Sequence, residues 1–157
     1  MVTLYIFIFY EAKLYSDMLL QVVYVFLQIQ GWWAWAMGGT RSSPLPVTVA
    51  TTRELCAWLA AGSIATALWG AAMRYGTDAS FPYVDAFTTI ASLIAQWLLV
   101  RKCLQSWLIW VAVDAVSIGL YFAKDLYLTA GLYVLFLFLA ILGYTTWKAS
   151  LRDAASG

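Results

Sequence analysis

The sequence predicts an all-α polytopic membrane protein, and three observations lead to this fold class. Of the 157 residues, 64% are apolar, and the mean hydropathy is +0.79. Only 11% are charged, whereas a soluble domain carries about a quarter. Apolar stretches of about 20 residues, the length that spans a bilayer, recur along the chain. These values argue against a soluble fold, because so few charges cannot cover a water-facing surface of this size.

The composition also limits the chemistry that the chain can perform. There is no histidine, which rules out Ser-His catalysis, bis-His haem and His-based zinc sites. Cys56 and Cys103 lie in apolar segments, where we expect small buried side chains instead of a disulfide or a metal site. The net charge of +1 gives no field directed at nucleic acid. We therefore expect no catalytic residue, no metal, no cofactor and no nucleic-acid partner.

Breaks in the apolar pattern divide the chain into six segments, A to F, each predicted to be a helix or part of one. Segment A is a stub that ends at Glu11-Ala12-Lys13 and carries no basic leader of a signal peptide. Segment B ends before a polar stretch that contains Pro44 and Pro46, and segment C follows that stretch. Segments A to C cover residues 1–10, 15–37 and 54–74.

Segments D to F are separated by equally clear helix-stopping signals. Gly76 and Pro82 lie between segments C and D, and Arg101-Lys102 ends segment D. Lys124-Asp125 separates segment E from segment F, which is predicted to end near Trp147. Segments D to F cover residues 82–100, 105–122 and 126–147.

Lysine and arginine set the orientation, since these residues accumulate in cytoplasmic loops. Six of them follow segments B, D and F, against three on the opposite side, so we expect a cytoplasmic C-terminus. The six are Arg41, Arg53, Arg101, Lys102, Lys148 and Arg152, and the three are Lys13, Arg74 and Lys124.

An internal repeat relates the two ends of the chain. Residues 8–35 align with residues 120–147 at a constant shift of 112, with nine of 28 positions identical. Composition bias is the alternative explanation for these identities, but the shared Leu-Tyr and the shared Gly-aromatic-x-x-Trp are specific patterns that favour a true repeat. Segments B and F end on the same side, so the repeats are parallel and need one linker helix between them. Segment C fits, with Gly62, Thr66 and Gly70 at the spacing that lets helices approach closely.

The same shift places a counterpart of segment D before Met1. We therefore expect a 3+1+3 plan whose first helix is missing here, and the upstream reading frame tests whether the start is miscalled. The predicted divisions are an incomplete first repeat (1–37), a cytoplasmic loop (38–53), a linker transmembrane helix (54–74), a second three-helix repeat (82–148) and a cytoplasmic tail (149–157).

Polar and aromatic residues keep helical spacing on segments B, D and E. Within a bilayer, polar side chains normally face the bundle interior or an aqueous path, so the three stripes predict one shared cavity. The stripes are Asp17, Gln21, Tyr24, Gln28, Trp32 and Trp35 on segment B; Asp85, Thr88 or Thr89, Ser92 and Gln96 on segment D; and Trp107, Trp110, Asp114, Ser117 and Tyr121 on segment E.

Most of these residues also have a purely structural interpretation. Asp17 and Asp85 lie near helix starts and fit helix caps or partners of the helix dipole. The tryptophans near cytoplasmic ends fit an interfacial aromatic belt, Trp35 and Trp147 above all, and the glutamines fit interhelical hydrogen bonds. Asp114 lies about two turns inside segment E. An unpaired carboxylate is costly there, which favours a functional role.

Several short motifs are distributed over nearly the whole chain, namely Leu14-Tyr15-Ser16-Asp17, Gln21-Val22-Val23-Tyr24, Gly31-Trp32-Trp33-Ala34-Trp35, Asp85-Ala86-Phe87-Thr88-Thr89, Gln96-Trp97-Leu98-Leu99, Arg101-Lys102 and Trp107-Leu108-Ile109-Trp110. In combination, these motifs resemble PnuC-type nicotinamide riboside transporters. That family usually has Asn where Ser106 stands.

This resemblance implies a bacterial inner-membrane protein with a SWEET-like fold, in which a linker helix joins parallel three-helix repeats. It further implies homotrimers and facilitated uptake of nicotinamide riboside, an NAD precursor, which a cytoplasmic nucleoside kinase traps by phosphorylation. Related family members carry thiamine or riboflavin, and a carrier of one of these vitamins is the alternative function for this chain.

The residues fit such a ligand, because aromatic faces attract a cationic pyridinium ring and a carboxylate balances its charge. We expect Trp32, Trp107, Trp110 and Tyr121 to enclose the ring and Asp114 to balance the charge. Glutamine and threonine side chains suit the ribose and the carboxamide. The predicted substrate-binding residues are Gln21, Tyr24, Gln28, Trp32, Thr89, Gln96, Trp107, Trp110, Asp114 and Tyr121.

Other functions fit the pattern less well. A SWEET-type sugar carrier would share the fold but would not need the tryptophan-rich stretches or an intramembrane carboxylate. A truncated, non-transporting membrane protein would explain the missing helix. A membrane enzyme is the weakest class, because Asp85 and Asp114 lie on different segments without a surrounding motif.

Overall fold

The computed structural model describes Glu11, Leu20, Val22, Val23 and Val25 and then residues 47–156. The described part contains four α-helices: α1 (Thr52–Gly76), α2 (Pro82–Val100), α3 (Ser106–Ala123) and α4 (Tyr127–Ser156). They correspond to segments C to F, and all four are long and apolar enough to cross a membrane. The all-α membrane class is confirmed for this part of the chain.

Helix α1 begins at Thr52, two residues before the predicted start. The side chain of Thr51 accepts a hydrogen bond from the backbone N–H of Glu54 (3.2 Å), which satisfies one of the free donors at the helix start. A threonine followed three residues later by glutamate is the sequence signal for such a cap. At the other end, the hydroxyl of Thr77 donates to the carbonyl of Met73 (2.6 Å) and terminates the helix.

Helices α2 and α3 have the predicted bounds to within one residue. Pro82 opens α2, where its missing N–H costs nothing. Beyond the two helix ends, Lys102 (φ 53°) and Asp125 (φ 57°) adopt the left-handed conformation. This conformation breaks the hydrogen-bond ladder and turns the chain back.

Helix α4 is longer than predicted, since it continues past Trp147 to Ser156 and includes most of the predicted tail. Residues 148–156 contain no glycine or proline and are mostly good helix formers, so nothing stops the helix at Trp147. Its 30 residues span about 45 Å, more than the hydrocarbon thickness of about 30 Å. One end of α4 therefore extends beyond the bilayer core.

The helices pack in chain order, α1 on α2, α2 on α3 and α3 on α4. The small residues of α1 face α2: a Cβ on Gly62 would lie 2.9 Å from Ile94 Cδ1, and one on Gly70 would meet the ring of Tyr83. The predicted close approach along this face of α1 is thus confirmed.

The rest of the α1 surface is open. Leu59, Ile64 and Leu68 are each more than 60% exposed, as suits a helix in contact with lipid. Cys103 is buried as expected, but Cys56 is exposed. Cys56 lies on α1, which packs mainly along one side within the described ranges.

The stretch before α1 is joined to the α2–α3 loop by backbone hydrogen bonds. The N–H of Thr48 donates to the carbonyl of Lys102 (2.9 Å), and the N–H of Leu104 donates to the carbonyl of Thr48 (2.9 Å). Ala50, Leu98 and Cys103 form a small buried cluster beneath this junction. The sequence predicted only a loop over 38–53 and did not indicate this attachment.

The opposite ends of the helices are also connected. Lys124, in the α3–α4 loop, donates from Nζ to the hydroxyl of Ser80 in the α1–α2 loop. The same ammonium group lies 5.7 Å from the centre of the Phe81 ring, within range of a cation–π interaction. The loop of the α2–α3 hairpin is therefore joined to the stretch before α1, and Lys124 links the two chain segments that flank its open end.

Candidate functional site

The polar stripes predicted on segments D and E face the interior of the protein. Gln96, Trp107 and Trp110 are half-buried. Seven further stripe residues are at most 6% exposed: Asp85, Thr88, Thr89 and Ser92 on α2, and Asp114, Ser117 and Tyr121 on α3. The helical spacing therefore identified the inward faces of both helices correctly.

The two stripes run side by side because α2 and α3 are consecutive, packed helices joined by a short loop. Ser92 lies eight residues before the end of α2, and Asp114 lies eight residues after the start of α3. At 1.5 Å per residue, both lie about 12 Å from the loop end of the hairpin. Thr89 and Ser117 lie one turn further in, about 16 Å from the loop end of the hairpin by the same count. Because the hydrocarbon core is about 30 Å thick, these two levels are close to its middle.

Asp114 is an acid inside this buried region. It is 3% exposed, and no hydrogen bond or ion pair of the described residues involves its carboxylate. A buried ionised carboxylate needs a cation, hydrogen-bond donors or water to offset its loss of hydration. Chemically, this position suits a cationic group supplied from outside the chain.

Among the described side chains, two buried polar atoms have no hydrogen-bond partner: the hydroxyl oxygen of Thr89 and the indole nitrogen of Trp107. The neighbouring Thr88 differs, since its hydroxyl donates to the carbonyl of Asp85 (2.9 Å). A buried polar group without a partner costs about 1–3 kcal/mol, and such groups are rare in native proteins. Hydroxyl or carbonyl groups of a bound ligand could satisfy either atom, but Thr89 and Trp107 lie about 15 Å apart along the helix axes.

The burial of its nitrogen also separates Trp107 from an aromatic belt, whose tryptophans keep their N–H at the membrane–water interface. The Trp107 ring lies on Gly143, where an added Cβ would be 2.6 Å from ring atoms Cη2 and Cζ2. Trp147 packs edge-on against the same ring, with centroids 5.3 Å apart. Trp147, which the sequence assigned to the belt, thus contacts a predicted site residue. The sequence indicated Gly143 only as an identical position of the internal repeat.

Tyr121 lies in a different part of the interior. It is fully buried, its ring packs on Tyr133 at 4.9 Å between centroids, and the two hydroxyls are 3.5 Å apart. Fourteen positions of α3 separate Tyr121 from Trp107, which is about 21 Å along the axis. The structure therefore does not bring these two residues to one ligand ring, whereas Trp107 and Trp110 are only one turn apart.

Asp85 and Ser106 have local structural explanations. Phe81 occupies the N-cap position of α2, so the fully buried Asp85 is not the cap; it lies in the first turn of α2, where a carboxylate interacts favourably with the helix dipole. Ser106, at the position where the resemblance expects Asn, is buried and donates to the carbonyl of Cys103 (2.7 Å). This bond stabilises the start of α3 and occupies the hydroxyl proton of Ser106.

The segment B part of the predicted site lies outside the described residues, namely Gln21, Tyr24, Gln28 and Trp32, together with Asp17 and Trp35. Within the described ranges, no three acidic or cysteine side chains are close enough to hold a metal ion. The described half of the candidate site is thus a buried polar and aromatic strip on α2 and α3, bordered by the start of α3 and by Gly143 and Trp147 of α4.

Comparison with known proteins identifies the family. A sequence model of the family described as "Nicotinamide mononucleotide transporter" matches residues 1–149. The chain belongs to this family. Membership in the nicotinamide mononucleotide transporter family makes this a membrane transport protein, in agreement with the four apolar helices of its described part.

Individual relatives are similar over most of the chain. The nicotinamide riboside transporter PnuC of Escherichia coli strain K12 is 24% identical over 180 residues, covering 99% of this chain and 75% of that protein. The riboflavin/roseoflavin transporter RibM of Streptomyces davaonensis is 27% identical over 138 residues, covering 85% of this chain and 65% of RibM.

A solved structure shares the fold. The crystal structure of the vitamin B3 transporter PnuC matches with a TM-score of 0.74 and 24% identity, covering 97% of this chain and 69% of the other. At this identity, the likeness shows a shared fold and does not extend to individual contacts.

Proposed function

We propose that this protein carries nicotinamide riboside across the membrane by facilitated diffusion. The observation that carries the proposal is Asp114, a carboxylate near mid-membrane that is buried and has no cationic partner among the described side chains. Nicotinamide riboside supplies a positive charge on a flat aromatic ring. The names of the relatives support the same substrate, since PnuC proteins of two further organisms are also nicotinamide riboside transporters.

The riboside fits this interior better than its phosphorylated form. In the part of the chain that the structure describes, the buried polar and charged residues are Asp, Thr and Ser, without lysine or arginine. A phosphate group carries up to two negative charges, and it needs a basic side chain or a helix N-terminus to replace its hydration. Beside Asp114 it would instead meet a like charge. The proposed substrate class is therefore a nucleoside with a cationic base and an unphosphorylated sugar.

Within this proposal, each residue of the strip has a role. Trp107 and Trp110 contact the pyridinium face, an interaction of about 0.5–2 kcal/mol for each ring when desolvated. Asp114 balances the positive charge. Thr89 and Gln96 bind hydroxyl or carboxamide groups, and Tyr121 contacts the transport path about 21 Å from Trp107 along α3. Gln21, Tyr24, Gln28 and Trp32 are proposed to complete the site from segment B.

The proposed architecture is a SWEET-like 3+1+3 plan. Residues 1–37 belong to the first repeat, residues 54–74 form the linker helix, and residues 82–148 form the second repeat. Substrate binds between the repeats, which alternately open to either side. The proposed location is the bacterial inner membrane, with the loop 38–53 and the tail 149–157 in the cytoplasm. We further propose a homotrimer and a cytoplasmic kinase that phosphorylates the arriving nucleoside and prevents its return.

Riboflavin is the second candidate substrate, because RibM covers 85% of this chain at 27% identity. Riboflavin also has a flat ring and a hydroxyl-rich chain, but it carries no positive charge at neutral pH. Asp114 would then lack a counter-charge, so the two substrates make different demands on the same residue.

Uptake into proteoliposomes that contain the purified full chain tests the proposal. We expect labelled nicotinamide riboside to equilibrate across the membrane without an ion gradient, and an excess of unlabelled riboside on the opposite side to accelerate exchange. Uptake of riboflavin alone would replace the proposal with its alternative. If the folded protein neither binds nor carries nicotinamide riboside, the proposal is wrong, and a non-transporting membrane protein becomes the better description.

A further inference from the structure

We infer that Gly143 is a positioning residue for substrate binding: it provides the flat surface that holds the indole of Trp107 in the orientation that the ligand requires. Gly143 lies in the middle of α4 and has no side chain with which to contact a ligand. Its effect on binding would pass entirely through Trp107. The inference rests on the proposed function, since its readout is nicotinamide riboside binding.

The first argument is the closeness of the two residues. A Cβ on Gly143 would lie 2.6 Å from both Cη2 and Cζ2 of Trp107 and 2.7 Å from Cε2. Real Cβ atoms do not approach other atoms so closely, so any side chain at this position must displace the ring. Cζ2 and Cε2 belong to the rigid bicyclic body of the indole, so the ring cannot bend away and the whole side chain must move.

The second argument is that the ring has little freedom to move. Trp147, one turn further along α4, contacts the Trp107 ring edge-on at 5.3 Å between centroids and 83° between planes. Gly143 and Trp147 are four residues apart and so lie on the same face of the helix. Together they hold the indole between a helix backbone on one side and an aromatic ring on another.

The third argument is the indole nitrogen, which is buried and has no hydrogen-bond partner among the described residues. A buried donor in a fixed orientation is useful only if an acceptor arrives at the right place. The hydroxyl and carboxamide oxygens of the proposed substrate are such acceptors. A small rotation of the ring would leave its apolar contacts largely intact but would misdirect the N–H.

Glycine in a helix interior is otherwise unfavourable, because it loses more backbone entropy than alanine. Gly131, in the same helix, has nothing within 4 Å of an added Cβ, and the same holds for Gly119 in α3. Alanine fits at those positions without displacing a neighbour. The requirement for glycine at position 143 therefore comes from the Trp107 ring and not from the helix.

The test measures nicotinamide riboside affinity by calorimetry on the purified full chain in detergent, for the unmodified protein and for Gly143→Ala. Gly131→Ala is the matched control, since it makes the same chemical change in the same helix. We expect Gly143→Ala to weaken binding about tenfold or more, the loss typical of a forced repacking. We expect Gly131→Ala to stay within about twofold of the unmodified protein.

A double-mutant cycle with Trp107→Phe distinguishes positioning from general damage. Phenylalanine lacks Cη2 and Cζ2, so a Cβ at position 143 meets less obstruction. We expect Trp107→Phe alone to weaken binding, and Gly143→Ala in that background to add less than about threefold. If Gly143→Ala does not fold, the double variant should be recovered as folded protein, because its smaller ring relieves the contact.

Three outcomes overturn the inference. Gly143→Ala could bind with unchanged affinity, it could weaken binding equally with and without the Trp107→Phe substitution, or the double variant could fail to fold like the single one. Absence of nicotinamide riboside binding by the unmodified protein is a separate result. It rejects the proposed substrate before Gly143 is tested.

Discussion

The side-chain amide of Gln105 pairs with both backbone hydrogen-bonding groups of Ala50, 55 residues earlier in the chain. The N–H of Ala50 donates to Gln105 Oε1 (3.0 Å), and Gln105 Nε2 donates to the carbonyl of Ala50 (3.2 Å). An amide side chain has the donor and acceptor of a peptide group, so Gln105 extends the Thr48–Cys103 bridge by one further pair. This connection holds the segment that leads into α1 against the α2–α3 loop.

Replacing Gln105 should therefore weaken the fold. We expect Gln105→Leu to lower the free energy of unfolding by about 1–3 kcal/mol, because two part-buried backbone groups lose their partners. Gln105→Glu is the matched control, since it keeps the acceptor for the Ala50 N–H and loses only the donor. Thermal unfolding in detergent should give the order Gln, Glu, Leu from most to least stable. Equal stability of all three would mean that water replaces the side chain at no cost.

The ion pair next to this connection should contribute much less. Arg101 Nη1 lies 2.6 Å from Glu54 Oε1, but the two side chains are 48% and 31% exposed. Surface ion pairs of this kind contribute about 0–1 kcal/mol to stability. We expect Glu54→Gln to change the midpoint of thermal unfolding by at most a few degrees. Because salt screens exposed charges, the difference should shrink in high salt. A large effect that persists in high salt would show that the pair acts as a buried one.

Two adjacent threonines should differ in how their stability responds to the same substitution. Thr88→Val removes a hydroxyl that donates to the carbonyl of Asp85, so we expect a loss of about 0.5–1.5 kcal/mol in stability. Thr89→Val removes a buried hydroxyl that has no partner among the described residues, so stability should stay equal or rise. If Thr89 binds substrate, its valine variant should nevertheless bind nicotinamide riboside more weakly.

The measurement for this pair is thermal unfolding together with calorimetric binding, on the same preparations. Thr89→Val with lower stability than the unmodified protein would mean that its hydroxyl has a partner in the folded state. Thr89→Val with full stability and full affinity would remove Thr89 from the proposed site.

Asp114 should act through its charge. We expect Asp114→Asn, which keeps the size and removes the charge, to weaken nicotinamide riboside binding about tenfold or more, equivalent to about 1.4 kcal/mol. Binding of the reduced dihydro form, which has no positive charge on its ring, should change much less. Equal losses for both ligands would show that Asp114 supports the site in another way. The variant should fold, since the asparagine side chain is uncharged and avoids the cost of a buried carboxylate.

The membrane class and the inward faces of α2 and α3 could be predicted because they depend on local features. A run of about 20 apolar residues is sufficient to indicate a spanning helix, and a polar residue every three or four positions shows which side avoids lipid. Pro82 and the charged pairs at 101–102 and 124–125 mark turns that the structure confirms. The sequence also contains the signals for two further features of the structure, the unbroken helix after Trp147 and the 14-residue distance from Trp107 to Tyr121.

Other features of the site could not be predicted from the sequence. Thr88 and Thr89 are neighbours of the same type, and only the structure shows that one hydroxyl has a partner and the other has none within the described ranges. The contact of Gly143 with Trp107 and the pairing of Gln105 with Ala50 join positions 36 and 55 residues apart.

The sequence by itself determined that this chain is a membrane protein of long helices with polar inner faces, and its motifs indicated the transporter family. These properties depend on composition and on the 3.6-residue period of the helix, which each segment expresses alone. Only the tertiary structure decided which buried groups have partners and where a glycine is required. Those properties depend on the distance between atoms of different helices, which is set by packing and leaves no periodic signal in the sequence.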